Sequence, residues 1–501
     1  MHTASKDFEW IQPIIDWSQF KTPEDVVNHI IDNDPKVLCV STYIWNHILI
    51  TEVCKTVKRI NPNIIVIRGG PQLERELDFS WYDYVCDATG HGEQFIESAL
   101  KQIQEFGAIK GSVPWLIDKE QRHTTPKDKY AYPNESVFEY NLPYVLECFD
   151  VAKNKKIKFG VQYETTRGCP YSCTYCEWGA GGTSAKLSEK PLEIILKDIE
   201  ILCMLGVREF EIIDANFGIL KRDVSIINHL GDMKIKYGFP ESTMLYGLVK
   251  GKVEKKEAIL TAMFENDLMP YYFMSVQSIS DKALSIVKRT DISVEENLQL
   301  AEKMRDKYGI PIKTELILGL PGSTLDDFYS EMDLIQRTFG WAWMRAPLTI
   351  LPQTEVADKF YQALHKIKSV RVGVSENEDQ DKTHISNESV LAHYKSYQDI
   401  VISTSSYTTE DWKEMYFMNM AQKIIGPLIP MTSKASVVMK GMFEEIKQRE
   451  WYKMFDADMD RIIANEKQHE DFMIVHGKTV EEWMKEYESE IKLMVTEHTR
   501  S

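Results

Sequence analysis

The chain has 501 residues, 43% apolar and 27% charged, a globular composition too long for one ordinary core, so two or three domains are expected. Its net charge of −17 argues against a nucleic-acid partner or an anionic-membrane surface. No run of about 20 apolar residues is present to span a bilayer, the start MHTASKDFEWIQPIIDW lacks a basic segment followed by an apolar one, and the eight cysteines are expected to be reduced, as in cytoplasm.

In chain order, TPEDVVNHIID reads as a helix capped by Thr22 with Pro23 in its first turn. KVLCVST, NIIVIRGG and YDYVCDATG read as strands, with the helices ILITEVCKTVKRI and EQFIESALKQIQEF between and after them. Short apolar strands alternating with helices predict an α/β domain with a doubly wound parallel sheet over residues 1–118. Residues 119–157 include the polar DKEQRHTTPKDKYAYPNES and read as a linker. A second βα series runs through FGVQYETT, EFEIID, TMLYGLV, YYFMSVQ, IKTELILGL and RAPLTIL. Six such units predict a partial (β/α)6 barrel over 158–374, with its active loops at the carboxyl ends of the strands. Residues 375–501 read as a helical C-terminal region whose aromatic and Met stripes face a core.

The stretch ETTRGCPYSCTYCEWG places Cys169, Cys173 and Cys176 on one loop after a strand. Soft thiolates select zinc, copper(I) or iron–sulfur clusters. A closed zinc site needs four ligands, yet no histidine lies between His123 and His229, and the nearest other cysteines are Cys148 and Cys203. A disulfide would leave one thiol over. Three ligands make sense where a fourth position is kept open.

CxxxCxxC after the first strand of a partial barrel resembles the radical S-adenosylmethionine (SAM) superfamily. The resemblance implies a [4Fe–4S] cluster held by Cys169, Cys173 and Cys176, with SAM chelated to the open iron and cleaved to a 5′-deoxyadenosyl radical. Further segments are similar in order: IIDANFG, FMSVQSISDKALSIVKR, IKTELILGLPGSTLDDF and APLTILPQTE. By that resemblance Tyr175, Asp214, Asn216, Ser275, Gln277, Ser278 and Gly319 contact SAM, with Gly322 beside it; Ser323 stands where superfamily members often carry Glu.

STYIWN, GGPQ and GHGE, followed by FIESAL, resemble the cobalamin-binding domain that precedes the barrel in one class of these enzymes. The resemblance implies a Rossmann-like sheet; the family opens with a strand and helix ahead of the segment like TPEDVVNHI, which only about 20 residues precede here, so the sheet is expected to lack its first strand. It assigns cobalamin contacts to Ser41, Tyr43, Trp45, Asn46, Gly69, Gly70, Pro71, Gly90, Gly92 and Glu93. There is no DxHxxG segment to supply a histidine to cobalt, and His91 reads either as a cobalamin contact or as a surface residue. The implied activity is cobalamin-dependent C-methylation at an unactivated carbon of a small-molecule or peptide substrate, with an electron donor such as a flavodoxin or ferredoxin. A cobalamin-dependent rearrangement or redox enzyme, a plain radical SAM enzyme and a non-catalytic scaffold stay open as alternatives. Arg345, Lys250 and Lys252 read either as polar anchors near the site or as surface residues.

Overall fold

In the computed structural model the first helix forms as its sequence requires. Thr22 accepts the Asp25 N–H, the Asp25 carboxylate accepts the Thr22 N–H, and Pro23 opens the first turn. The structure describes residues 8–11, 19–73, 77–86, 92–114, 116–119, 132, 134–179, 186–337, 344–373, 391, 394–465, 474–475, 478–479, 482 and 485–500.

The first region comprises α1 (Pro23–Asn33), β1 (Val37–Ser41), α2 (His47–Ile60), β2 (Ile65–Gly69), β3 (Tyr84–Cys86), α3 (Gly92–Phe106) and β4 (Leu116–Asp118). Side-chain alternation along the strands sends Leu38, Val40, Val66 and Val85 toward α2, and Val37, Cys39, Ile65, Ile67 and Cys86 toward α3. Both faces are therefore covered. The sheet order is β1-β2-β3-β4, with the first three strands parallel and β4 antiparallel. Helices on both faces fit the doubly wound expectation in part; among the described strands the order does not reverse.

Two helices, α4 (Val137–Tyr140) and α5 (Leu142–Lys155), lie within the predicted linker and lead to the second series. That series comprises β5 (Gly160–Tyr163), the short pair β6 (Thr166–Arg167) and β7 (Ser188–Glu189), α6 (Leu192–Leu205), β8 (Glu209–Ile212), α7 (Asp223–Tyr237), β9 (Ser242–Leu245) and α8 (Val253–Glu265). It continues with β10 (Tyr272–Gln277), α9 (Asp281–Ile286), α10 (Val294–Tyr308), β11 (Ile312–Leu318), α11 (Leu325–Arg337) and β12 (Met344–Pro347). The six expected parallel strands are all present, but in two sheets, β5-β8-β9 and β10-β11-β12. Between them, at β9 and β10, a small cavity of about 20 Å³ is lined by Leu245, Leu248, Leu260, Met269, Tyr272 and Ser275, among others.

The remaining elements are α12 (Lys359–His365), β13 (Lys368–Gly373), β14 (Tyr397–Ser403), α13 (Thr409–Ile425), α14 (Ala435–Ile446), α15 (Glu450–Ala464) and α16 (Glu488–Arg500). β13 and β14 pair antiparallel across the border expected at 374. β14 also bridges Thr349 just beyond β12, so the C-terminal region is joined to the barrel edge. Its aromatic stripe faces inward as expected: Trp412, Tyr416 and Phe417 are buried in one core with β10, β11 and α11.

Candidate functional site

The cysteine loop leaves β6 through Gly168 and packs against two later segments. The Thr174 N–H donates to the Val287 carbonyl, and the Thr174 carbonyl accepts the Val356 N–H. Cys169 and Cys173 are buried and Cys176 is half-buried, and none of the chain's cysteines is in a disulfide. N–H donors reach the sulfurs of Cys169 and Cys173. Asn216 Nδ2, from the loop after β8, lies 3.0 Å from Cys169 Sγ. Lys250 Nζ, from the segment after β9, lies 3.7 Å from Cys173 Sγ. The Asn216 Oδ1 is buried without a partner, an acceptor placed beside the thiols.

The other residues expected to contact SAM divide into two groups. Tyr175 and Ser275 are brought together by Arg289, which donates to the Tyr175 hydroxyl at 3.2 Å and to the Ser275 carbonyl. Asp214, Gln277, Ser278 and Gly319 are engaged within the protein. Asp214 accepts the backbone N–H (2.7 Å) and hydroxyl (2.5 Å) of Thr165. Gln277 takes a left-handed backbone (φ 70°) where the register of β10 shifts, and donates to Glu315. Ser278 donates to the buried Glu331 at 3.0 Å. Gly319 also has a left-handed backbone, and a Cβ there would stand 2.7 Å from the Tyr407 hydroxyl. The close approach Gly319 permits in this structure is that of Tyr407, which donates to the Gly319 carbonyl.

Burial outweighs the two Thr165 donors and pushes the Asp214 carboxyl up to about 7. Its folded pKa then exceeds the unfolded value, so the native state keeps a proton that the unfolded chain releases. The stability this group contributes is full below about pH 4 and falls as pH rises to about 7, by about 1.4 kcal/mol per pH unit. Asp214→Asn should flatten that fall, measured as urea midpoints of the cofactor-free protein at about pH 5 and about pH 7.

Arg345 proves to be neither a surface residue nor an anchor exposed to ligand. Its side chain is fully buried, 2.9 Å from Glu331 and stacked on Phe328. Lys252 is exposed.

In the first region Ser41, Tyr43, Trp45, Gly69, Gly70 and Pro71 meet at the carboxyl ends of β1 and β2. Gly70 (φ 95°) is required because a Cβ would stand 2.5 Å from the Thr42 backbone. Tyr43 and Trp45 stack at 4.6 Å, and Trp45 is 44% exposed. Asn46 closes this loop, accepting the Tyr43 N–H and donating to the Ser41 carbonyl. Gly92 and Glu93 open α3; Gly90 and His91 lie outside the described residues. Glu93 pairs with Arg167 at 2.9 and 3.2 Å, while Arg167 also holds Glu164. This contact ties the first region to the root of the cysteine loop, and the sequence reading did not single out Arg167. Its position two residues before Cys169 was the available signal, as the VKR ending of the FMSVQ segment was for Arg289.

The family model of the radical SAM superfamily matches residues 163–335, and that of the B12 binding domain matches residues 13–99. The chain carries a radical SAM domain and a B12-binding domain. It is 29% identical over 306 residues to the cobalamin-dependent radical SAM methyltransferase TokK of Streptomyces tokunonensis, covering 59% of this chain and 44% of that protein. It is 30% identical over 299 residues to the 2-(S-pantetheinyl)-carbapenam-3-carboxylate methyltransferase of Streptantibioticus cattleyicolor, covering 58% and 43%. This radical SAM chain thus spans less than half the length of these two curated relatives. Its fold is similar to that of the cobalamin-dependent SAM radical enzyme OxsB (TM-score 0.59, 14% identity, 96% of this chain and 73% of that one). It is also similar to TsrM of Kitasatospora setae, solved with cobalamin and a [4Fe–4S] cluster (TM-score 0.56, 13% identity, 80% of each chain).

A radical SAM protein of this type uses a [4Fe–4S] cluster, SAM and cobalamin, and the residues present fit these groups. The unbridged thiols and the N–H donors on their sulfurs suit a cluster, and the unpartnered Asn216 oxygen suits a ligand that donates beside it. The exposed Tyr43–Trp45 stack at the strand ends suits a broad ring system. Among the described residues no helix is long and apolar enough to cross a membrane.

Proposed function

We propose that this radical SAM protein is a cobalamin-dependent C-methyltransferase acting on an unactivated carbon of a small-molecule substrate. The observation that carries the reading is the Arg167–Glu93 pair, which joins the B12-binding domain to the root of the cysteine loop. A radical methylation needs both cofactors held at one substrate, and this contact couples the two segments expected to hold them. When bound, the cluster delivers the electron that cleaves SAM and methylcobalamin supplies the methyl group.

The chain's own part is binding, orientation and exclusion of water. Cys169, Cys173 and Cys176 would hold the cluster; Asn216, Tyr175 and Ser275 would meet SAM; and the loops of Ser41–Trp45 and Gly69–Pro71 would meet cobalamin. Ser396 donates to the Trp45 carbonyl and Tyr394 donates to Glu52, so the segment leading into β14 packs against the expected cobalamin loop.

The test is anaerobic reconstitution with iron, sulfide and hydroxocobalamin, followed by assay for 5′-deoxyadenosine and for a product heavier by one methylene. The substrate in the second relative's name is a first probe. Loss of SAM cleavage in a cluster-loaded protein would sink the reading; SAM cleavage with a product of unchanged mass would favour rearrangement or redox chemistry. Glu93→Gln is expected to leave cluster loading intact. It should lower methyl transfer per SAM cleaved about ten- to a hundredfold, because small misplacements of reacting groups carry penalties of that order.

A further inference from the structure

We infer that Lys250 sets the reduction potential of the cluster through its contact with Cys173. Its ammonium lies 3.7 Å from Cys173 Sγ and 4.8 Å from the centre of the Tyr171 ring. The Tyr171 hydroxyl in turn donates to the Lys250 carbonyl, so the lysine and the cysteine loop hold one another in register. Asp291, which accepts the neighbouring Gly251 N–H, is engaged by Lys256 at 2.9 Å and by Arg289 at 3.5 Å. Among the described residues no carboxylate pairs with Lys250, and its partner is the sulfur of Cys173, a thiolate when the cluster is bound.

One-electron reduction adds a negative charge to the cluster and its thiolates. A cation in contact with one sulfur favours the reduced form, as hydrogen bonds to cluster sulfurs do. Asn216 on Cys169 acts in the same direction without a net charge. Lys250 is half-buried, so water screens part of its field. The expected effect of losing the charge is about a tenfold fall in the reduced-to-oxidised ratio at a fixed potential, equivalent to about 59 mV for one electron.

The inference rests on the cluster occupying the cysteine loop, and the experiment separates the two. Full-length wild type, Lys250→Met, Lys250→Gln, Lys250→Arg and Lys252→Met are reconstituted without SAM and reduced with dithionite under EPR-monitored potentiometry. Lys250→Met and Lys250→Gln should shift to lower potential by that amount, Lys250→Arg should stay within about threefold of wild type in ratio, and Lys252→Met should not move. Unchanged titration of cluster-loaded Lys250→Met overturns the inference. If Met and Gln variants fail to load while Arg loads, the charge requirement stands; if Arg also fails, the position is steric and the inference falls. A wild type that takes up no cluster overturns the cofactor assignment itself.

Discussion

Arg345→Met is expected to destabilise the protein by about 3–5 kcal/mol, the usual penalty for stranding one half of a buried ion pair. Glu331 is also buried. It accepts from Ser278 at 3.0 Å, and Arg345 is its cation at 2.9 Å. None of the Arg345 guanidinium nitrogens is aligned for a hydrogen bond, so the pair is bound by charge and by stacking on Phe328, not by a bidentate fork. Without the cation, Glu331 is left as an unpaired carboxyl in a dry core that disfavours its charge. Burial already holds its carboxyl above the usual range, so in the variant it takes up a proton as pH falls. The loss relative to wild type should therefore shrink from about pH 8 to about pH 5 in urea unfolding. Adding Glu331→Met should recover most of the stability, since apolar replacement of a whole buried pair is often neutral. A single variant as stable as wild type at pH 8 would show that the pair contributes little.

Replacing Cys169, Cys173 or Cys176 singly with alanine should abolish cluster loading. Three thiolates anchor three corners of the cube, and losing one leaves an iron without a protein ligand. Reconstituted wild type should carry about four irons per chain and each variant less than one, with SAM cleavage at background. Cys148→Ala, on the half-exposed face of α5, should load normally. Full loading of any of the three variants would remove that cysteine from the site.

Strand and helix positions were legible because their periods are local. Val37–Ser41, Ile65–Gly69 and Ile312–Leu318 are short β-branched runs, and Thr22–Pro23 and Thr408–Asp411 mark helix starts. Pairing was less legible, because a period gives a strand its faces but not its neighbours. The break between β9 and β10 is invisible in TMLYGLV and YYFMSVQ. β14 was missed although YQDIVIS is rich in β-branched residues, since the charged, helical sequence around it dominated. At the site, the cysteines stand out by spacing alone. Lys250, Arg289 and Arg167 reach it from segments 40 to 120 residues apart in sequence, and a single side chain carries no mark of where its loop returns.

The distribution of apolar contacts bears on how the molecule would come apart. β10 and β11 share one continuous core with α13, α14, α15 and α16, whereas β5, β8 and β9 pack with α6, α7 and α8 in another. Cooperative units follow shared cores, so the natural cleavage plane runs between the two three-stranded sheets, between β9 and β10. A protein shortened by about the last 125 residues would strip helices from the core that β10 and β11 share and expose β13 as an unpaired edge, inviting aggregation.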